Sequence, residues 1–307
     1  MKKYFHIFCL ITLFLALFVI LWGAWVRFSH SGDGCGMNWP LCHDEWIPES
    51  SGKTWIEWFH RASSSVFGLF VLALTVFGFK YFPKNHKVRF WSLMTLVFTI
   101  SEALIGALLV LKGLTGQNTS VLRLFILNAH LLNSLFLVGS LVFCLRSSIE
   151  AFPIPFKKVG SLALMYIVIA LTGSVASLSN TLFPSSSLTE GWLMDFDENA
   201  PWIVPFRLWH PVVAVLIGGG VLLYLFWSFK GFVSMKKNLE KSSLQRSSSL
   251  RKQGSSLSIN SPFLLMCFLC IGLLTGAVTL FTLSPVVMKL IHLFAAYSIW
   301  VVILLYR

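Results

Sequence analysis

Eight stretches of this 307-residue chain are each about twenty residues long and almost free of charge. No other feature narrows the possible folds as far. The stretches fall at 5–27, 56–79, 90–112, 123–145, 159–180, 204–229, 262–281 and 286–305. About twenty apolar residues wound as a helix cross a bilayer core. In lipid each backbone N–H and C=O must be satisfied within the protein, which a helix achieves by itself. A barrel would show short alternating strands instead. At 56% hydrophobic and 12% charged residues the chain is too apolar for a soluble domain. The predicted fold is an all-α integral membrane protein with eight transmembrane helices.

The net charge of +12 would suit nucleic acid if it formed one patch, but its placement argues against that partner. Of the 24 basic residues, 17 lie on one side of the predicted spans: Lys2 and Lys3, the 80–89 turn, Arg146, Lys157 and Lys158, the 230–252 tract, and Arg307. The positive-inside rule puts that side and both termini in the cytoplasm of a cell inner (plasma) membrane. The opposite loops are acidic, with Asp33, Asp44, Glu45 and Glu49, then Glu190, Asp195, Asp197 and Glu198. The first run is too long for the core of a signal peptide and lacks a small-residue cleavage site, so it reads as a retained span. The Ser/Lys/Arg tract at 230–261 predicts a disordered inner loop touching anionic lipid heads.

Four histidines sit at matching depth in the even-numbered spans: His60, His130, His210 and His292. Each lies roughly one to two turns inside the start of its run. Even spans share one direction, so equal offsets mean equal membrane depth. Imidazole is costly in hydrocarbon and is retained there mostly for function. One such residue is readily explained as a structural hydrogen bond between helices. Four at one level point instead to two bis-histidine sites, for which haem iron is the natural ligand. His6, His30, His43 and His86 lie at span ends or in loops and read as solvated or structural.

A weak internal repeat of four spans supports the pairing. Gly23-Ala24 and Ser29 match Gly173-Ser174 and Ser179; Trp58-Phe59-His60 matches Leu208-Trp209-His210; Leu104-Ile105-Gly106-Ala107 resembles Leu274-Thr275-Gly276-Ala277; and His130-Leu131 matches His292-Leu293. The repeats share topology, so they predict two four-helix bundles, residues 1–150 and 151–307, related by a pseudo-two-fold axis along the membrane normal.

The two predicted sites differ chemically. Glu57 stands three residues before His60, on the same helix face, and suits a base acting on something bound there; a plain surface carboxylate is the alternative. Arg207 and Lys289 stand three before His210 and His292, where cations suit the propionates of a retained haem. Glu102, well inside span three, is a candidate on a proton path. Cys35 and Cys42 in the first outer loop face an oxidising compartment, where a disulfide would persist; metal binding with His43 is the alternative. Cys267 and Cys270, and Cys9 and Cys144, read as packing residues.

The same residues carry a family resemblance. Gly23-Ala24-Trp25-Val26-Arg27, the stretch Cys35-Gly36-Met37-Asn38-Trp39-Pro40-Leu41-Cys42, and Glu57-Trp58-Phe59-His60-Arg61 resemble the first span, outer loop and second span of bacterial haem A synthases of the CtaA type. That resemblance implies haem b held by His210 and His292, haem O as substrate between His60 and His130, and Glu57 as the catalytic acid/base. It implies oxidation of the C8 methyl of haem O to a formyl group, giving haem A. It also implies haem O synthase and terminal oxidase assembly as partners, with an unidentified electron acceptor; a homo-oligomer is compatible with it. Two departures stand out: residues 181–203 contain no second cysteine pair, and Pro211 follows His210 where the first half has Arg61. Two other classes use the same features. A non-catalytic di-haem cytochrome would stack its haems at different depths. A transporter would want helices broken near the midplane, for which Gly218-Gly219-Gly220 is a weak candidate.

Overall fold

The computed structural model describes residues 2–49, 52–149, 155–228 and 261–306. The tract expected to be a disordered loop, 230–261, lies almost wholly outside the described residues, as does Arg307. The spans are α1 (Phe5–Phe28), α2 (Gly52–Tyr81), α3 (Lys87–Leu111), α4 (Val121–Ser148), α5 (Phe156–Leu182), α7 (Pro205–Ser228), α8 (Ser261–Phe281) and α9 (Val286–Leu305). A short helix, α6 (Leu188–Asp195), lies between α5 and α7. These eight long helices are apolar enough to cross a membrane, and no strand occurs among the described residues.

Most spans begin a few residues earlier than the apolar runs, because capping groups and not hydropathy set the first turn. The Ser120 hydroxyl accepts from Arg123 N at 3.2 Å and starts α4, and His86 Nδ1 accepts from Val88 N at 3.2 Å and starts α3. The first turn of α2 is polar and sits under the 29–49 loop, where Thr54 Oγ1 donates to Gly34 O at 2.8 Å. The α6 helix was not expected in a Ser- and acid-rich loop. Ser187 caps it by accepting from Glu190 N at 3.1 Å.

Pro211 shapes α7. It has no N–H to give the Arg207 carbonyl, so the helix opens as a 3-10 turn at Pro205–Leu208. A π turn at Ala214–Gly218 then restores the register one turn beyond His210. The chain stays helical through this irregularity, as it must in hydrocarbon.

The helices α1, α2, α3 and α4 pack in a closed ring, each on the next and α4 back on α1. The helices α5, α7, α8 and α9 close a second ring in the same way. The rings meet along α4 with α9, α1 with α9, and α4 with α5. Val138, Leu141 and Val142 of α4 and Trp300 and Ile303 of α9 are buried in that junction. Polar contacts cross it: Trp300 Nε1 donates to Leu135 O at 2.9 Å, and the Ser134 and Tyr297 hydroxyls meet at 2.5 Å. Outward-facing side chains such as Phe14, Leu69, Leu104 and Leu216 are large and apolar, as a lipid-facing surface requires.

Candidate functional site

Each of the four histidines lays its ring against a glycine of the preceding long helix. A Cβ built on Gly23 of α1 would lie 2.7 Å from Cε1 of His60 on α2. The corresponding distances are 2.9 Å for Gly173 of α5 and His210 of α7, 3.0 Å for Gly276 of α8 and His292 of α9, and 3.8 Å for Gly106 of α3 and His130 of α4. Gly23, Gly173 and Gly276 are ledges, since a side chain there would crowd the imidazole, whereas at Gly106 a Cβ would make an ordinary contact. Gly23 and Gly173, and Gly106 and Gly276, are also the glycines that align in the four-span repeat.

The His210 and His292 rings come together, with centroids 6.1 Å apart and planes at 66°. Two metal–nitrogen bonds of about 2 Å each, plus the inner half of each ring, fill a gap of that order. Nδ1 of His210 lies 3.3 Å from Thr172 Oγ1, and Nδ1 of His292 lies 3.1 Å from Thr275 Oγ1. The rings also reach the backbone carbonyls of Ile169 and Gly272. Occupied Nδ1 positions leave Nε2 for iron, the arrangement expected of a metal-bound imidazole. The residues present therefore fit a bis-histidine haem.

In the first ring of helices, His130 lies within electrostatic reach of His60. Nδ1 of each is buried without a hydrogen bond. The Glu102 carboxylate approaches His130 Nδ1 to 3.4 Å, beyond good hydrogen-bond length. Glu102 thus belongs with His130, a partnership that spacing along the chain did not reveal.

Glu57 is buried at the loop end of α2. Its carboxylate accepts from Cys35 N at 2.9 Å and from Arg61 at 2.6 Å. Arg61 donates onward to the carbonyls of Asn38 and Leu41, both at 2.7 Å. Cys35 and Cys42 are joined in a disulfide, so these sulfurs do not serve as metal ligands; His43 Nε2 instead meets Gly34 O at 2.9 Å. The disulfide loop is thereby fastened to the turn of α2 that carries Glu57 and leads into His60.

Cations gather at the same end of the junction between the rings. Arg27 lies over the Phe28 ring at 4.8 Å and donates to Ser177 Oγ of α5 at 3.1 Å. Lys289 Nζ lies 5.3 Å from the centroid of the same ring and 3.4 Å from Thr181 Oγ1. The Nε atoms of Arg27 and of the buried Arg123 have no acceptor. In the loop beside them, burial and the charges of Lys53, Arg123 and Lys289 push the His30 imidazole below its ordinary value, so it stays neutral there. The field is positive and suits an anionic ligand. Arg207 behaves differently. It is buried, ion-paired with Asp195, and donates to Gly191 O at 2.8 Å and to Asn180 Oδ1 at 3.2 Å. Its donors are committed to protein.

Sequence reasoning missed Arg27, Asn133, Thr172 and Thr275. The two threonines could have been found, since each directly precedes a ledge glycine. Cys9 and Cys144 sit sulfur to sulfur at 4.0 Å in the α1–α4 contact, as packing residues do.

Comparisons with known proteins bear on this geometry. A protein of Thermus thermophilus named protoheme IX farnesyltransferase is 33% identical over 290 residues, covering 92% of this chain but 44% of its own length. The chain thus spans less than half the length of that relative. A heme A synthase of Bacillus licheniformis is 33% identical over 240 residues, 74% of this chain and 76% of that protein. A heme A synthase of Bacillus pumilus is 30% identical over 251 residues, 77% and 79% of the two chains. Residues 6–51 and 47–304 match the family described as COX15-CtaA, cytochrome oxidase assembly protein. Matched over nearly its whole length, the chain belongs to the COX15-CtaA family.

Proposed function

We propose that this chain is a haem A synthase, an oxidoreductase that converts the C8 methyl of haem O to a formyl group. The observation that carries the reading is the difference between the two histidine pairs. His210 and His292 face each other with both Nδ1 atoms held by threonine hydroxyls, which suits a retained haem b. His60 and His130 have buried Nδ1 atoms without hydrogen bonds, which suits a ligand that comes and goes. Farnesylated haem O is the substrate assigned to that pair.

The conversion removes four electrons from the methyl carbon and replaces two of its hydrogens with one oxygen taken from water, with four protons released. Haem b, when bound, supplies one-electron transfer towards an outside acceptor. The protein's own residues do the rest. Glu57 takes a proton at the loop end of α2, one turn before His60, with Arg61 and Cys35 N fixing its carboxylate. Arg27 and Lys289 hold haem propionates at the junction; Lys289 was expected in that role, and Arg27 takes the place expected of Arg207. The disulfide loop excludes water from above.

The contact pattern supports two pseudo-symmetric halves, 1–150 and 151–307. Exchanging the halves turns the α1–α9 contact into α5–α4 and leaves α4–α9 unchanged, and all three occur. The charge distribution supports an inner-membrane protein with cytoplasmic termini. The Thermus relative, more than twice as long and named for farnesyl transfer to haem, supports a working link to a haem O synthase. The family's description, cytochrome oxidase assembly protein, supports delivery of the product to a terminal oxidase.

The test is chromatography of haem extracted from the protein supplied with haem O. Wild type should yield haem b and haem A. A protein that yields b-type haem alone and leaves haem O unchanged would be the electron-carrying cytochrome instead.

A further inference from the structure

The four Nδ1 atoms rank the ligands. A neutral imidazole that gives Nε2 to iron carries its proton on Nδ1, and a buried N–H needs an acceptor. At the haem b pair the hydroxyls of Thr172 and Thr275 meet it, and four residues before each ledge glycine, one turn back on the same helix, stands a second group in reach. For His210 that residue is Ile169 and for His292 it is Gly272, both through backbone carbonyls. Before Gly23, beside His60, stands Val19, which offers no side-chain acceptor, and His60 Nδ1 has no hydrogen-bond partner among the described residues. Before Gly106 stands Glu102, the one carboxylate among these positions.

Glu102 is held in place from the His130 side. Its Oε2 accepts from Asn133 Nδ2 at 2.5 Å, and Asn133 stands one turn after His130 on α4. Asn133 is itself fixed, donating to Phe98 O at 2.8 Å and accepting from Ser101 Oγ at 2.6 Å. No cation pairs with Glu102 among the described residues, whereas Glu57 is paired with Arg61. The 3.4 Å approach to Nδ1 needs only a small turn of the ring to become a hydrogen bond.

We infer that Glu102 is a positioning residue that makes His130 the anchoring ligand of the substrate haem and leaves His60 as the ligand that yields. The inference rests on His60 and His130 forming the substrate site. A carboxylate behind a ligand imidazole fixes its orientation and raises its basicity, strengthening its hold on iron and favouring the ferric state. The carboxylate acts through His130, without touching the reacting methyl. An unsupported His60 can swing off iron without leaving a broken hydrogen bond behind.

The experiment uses the full chain co-expressed with a haem O supply. Glu102→Leu, Glu102→Gln, His130→Ala and His60→Ala are compared for haem O bound per haem b, and for the midpoint potential of each haem. Glu102→Leu should lower haem O occupancy about tenfold, the usual effect of removing a carboxylate behind a metal ligand, with haem b unchanged. Glu102→Gln, which keeps the shape and replaces the carboxyl group with a weaker acceptor, should raise the potential of the haem O site alone. His60→Ala should retain more haem O than His130→Ala. Unchanged occupancy and potential in both Glu102 variants would overturn the inference, as would loss of haem b alongside haem O or a reversed order of the histidine variants. If neither histidine variant affects haem O, the substrate site itself is misplaced; if His130→Ala loses haem O while the Glu102 variants do not, only the anchoring role fails.

Discussion

Replacing Gly173 with alanine would put a methyl 2.9 Å from Cε1 of His210, closer than real Cβ contacts come. The ring must then tilt, and a tilted ring cannot face His292 across an iron. Haem b in the Gly173→Ala protein should fall about tenfold by pyridine haemochrome assay, the scale seen when a metal ligand is misaligned. Gly106→Ala, where the same methyl would sit 3.8 Å from His130, should keep its haem. Equal losses in the two variants would show that small residues and not ledges are what matter. Glu57 is the other residue-scale test. Glu57→Gln is nearly isosteric and keeps a hydrogen-bond acceptor for Cys35 N while losing the base and the Arg61 ion pair. It should insert, keep haem b and accumulate haem O, as read by chromatography and mass; wild-type haem A would remove Glu57 from the chemistry. Loss of haem b as well would make it a brace for the disulfide loop. The four histidines were legible in the sequence because their offsets depend only on position along one helix. The ledges were not, because what each glycine accommodates stands on another helix, and the repeat showed only that they recur. Glu102 was legible as an anomaly and illegible as a partner for the same reason.

At the scale of elements, α7 departs furthest from a plain apolar helix. Its opening turn is tied to α6 by the buried pair of Arg207 and Asp195, and Arg207 also meets the carbonyls of Gly191 and Phe183. Removing one member of a buried pair strands the other in low dielectric, which costs about 3 kcal/mol. Arg207→Leu should therefore lower stability by that order in thermal unfolding monitored by haem b release. Pairing it with Asp195→Leu should recover part of the loss, since no lone charge remains. If Arg207→Leu keeps wild-type stability but loses haem b affinity, the residue contacts propionate after all. The sequence placed Arg207 one turn before His210 correctly. What it could not convey is that a 3-10 turn and a neighbouring helix draw the guanidinium into protein contacts. The start of α2 shows the same limit, since hydropathy ends where lipid ends and the helix continues under a loop.

For the whole molecule, the two rings of helices share one positive region at their junction. Lys289 of the second ring reaches Phe28 of the first, and Arg27 of the first reaches Ser177 of the second. A change there should be felt in both sites. Lys289→Gln should weaken haem b retention several-fold and also lower haem O occupancy, whereas Gly173→Ala affects haem b alone. Occupancy of each haem, measured on the same extracts, separates these outcomes. No effect of Lys289→Gln on either haem would leave the lysine with its Thr181 hydrogen bond as its whole role. Eight long apolar helices were readable from the runs alone. The junction was not, because helices exposed to lipid and helices packed on each other are equally apolar.

The loop over the first ring is sewn down along its length. Gly34 approaches α2 so closely that a Cβ there would lie 2.6 Å from Lys53 O, and its carbonyl meets both Thr54 Oγ1 and His43 Nε2. Trp58 Nε1 holds Trp46 O at 2.7 Å, and Gly116 of the α3–α4 turn closes on Asp33 from the other side. Such a roof does not lift as a flap without breaking many bonds at once. Yet His60 and His130 remain partly open beside helices whose outer faces are bare of protein. For the substrate proposed above, a fixed roof would leave the lipid side as the way in. A farnesylated haem dissolved in the bilayer would arrive by diffusion in two dimensions, and the rate of loading would follow its mole fraction among the lipids and not its concentration in water.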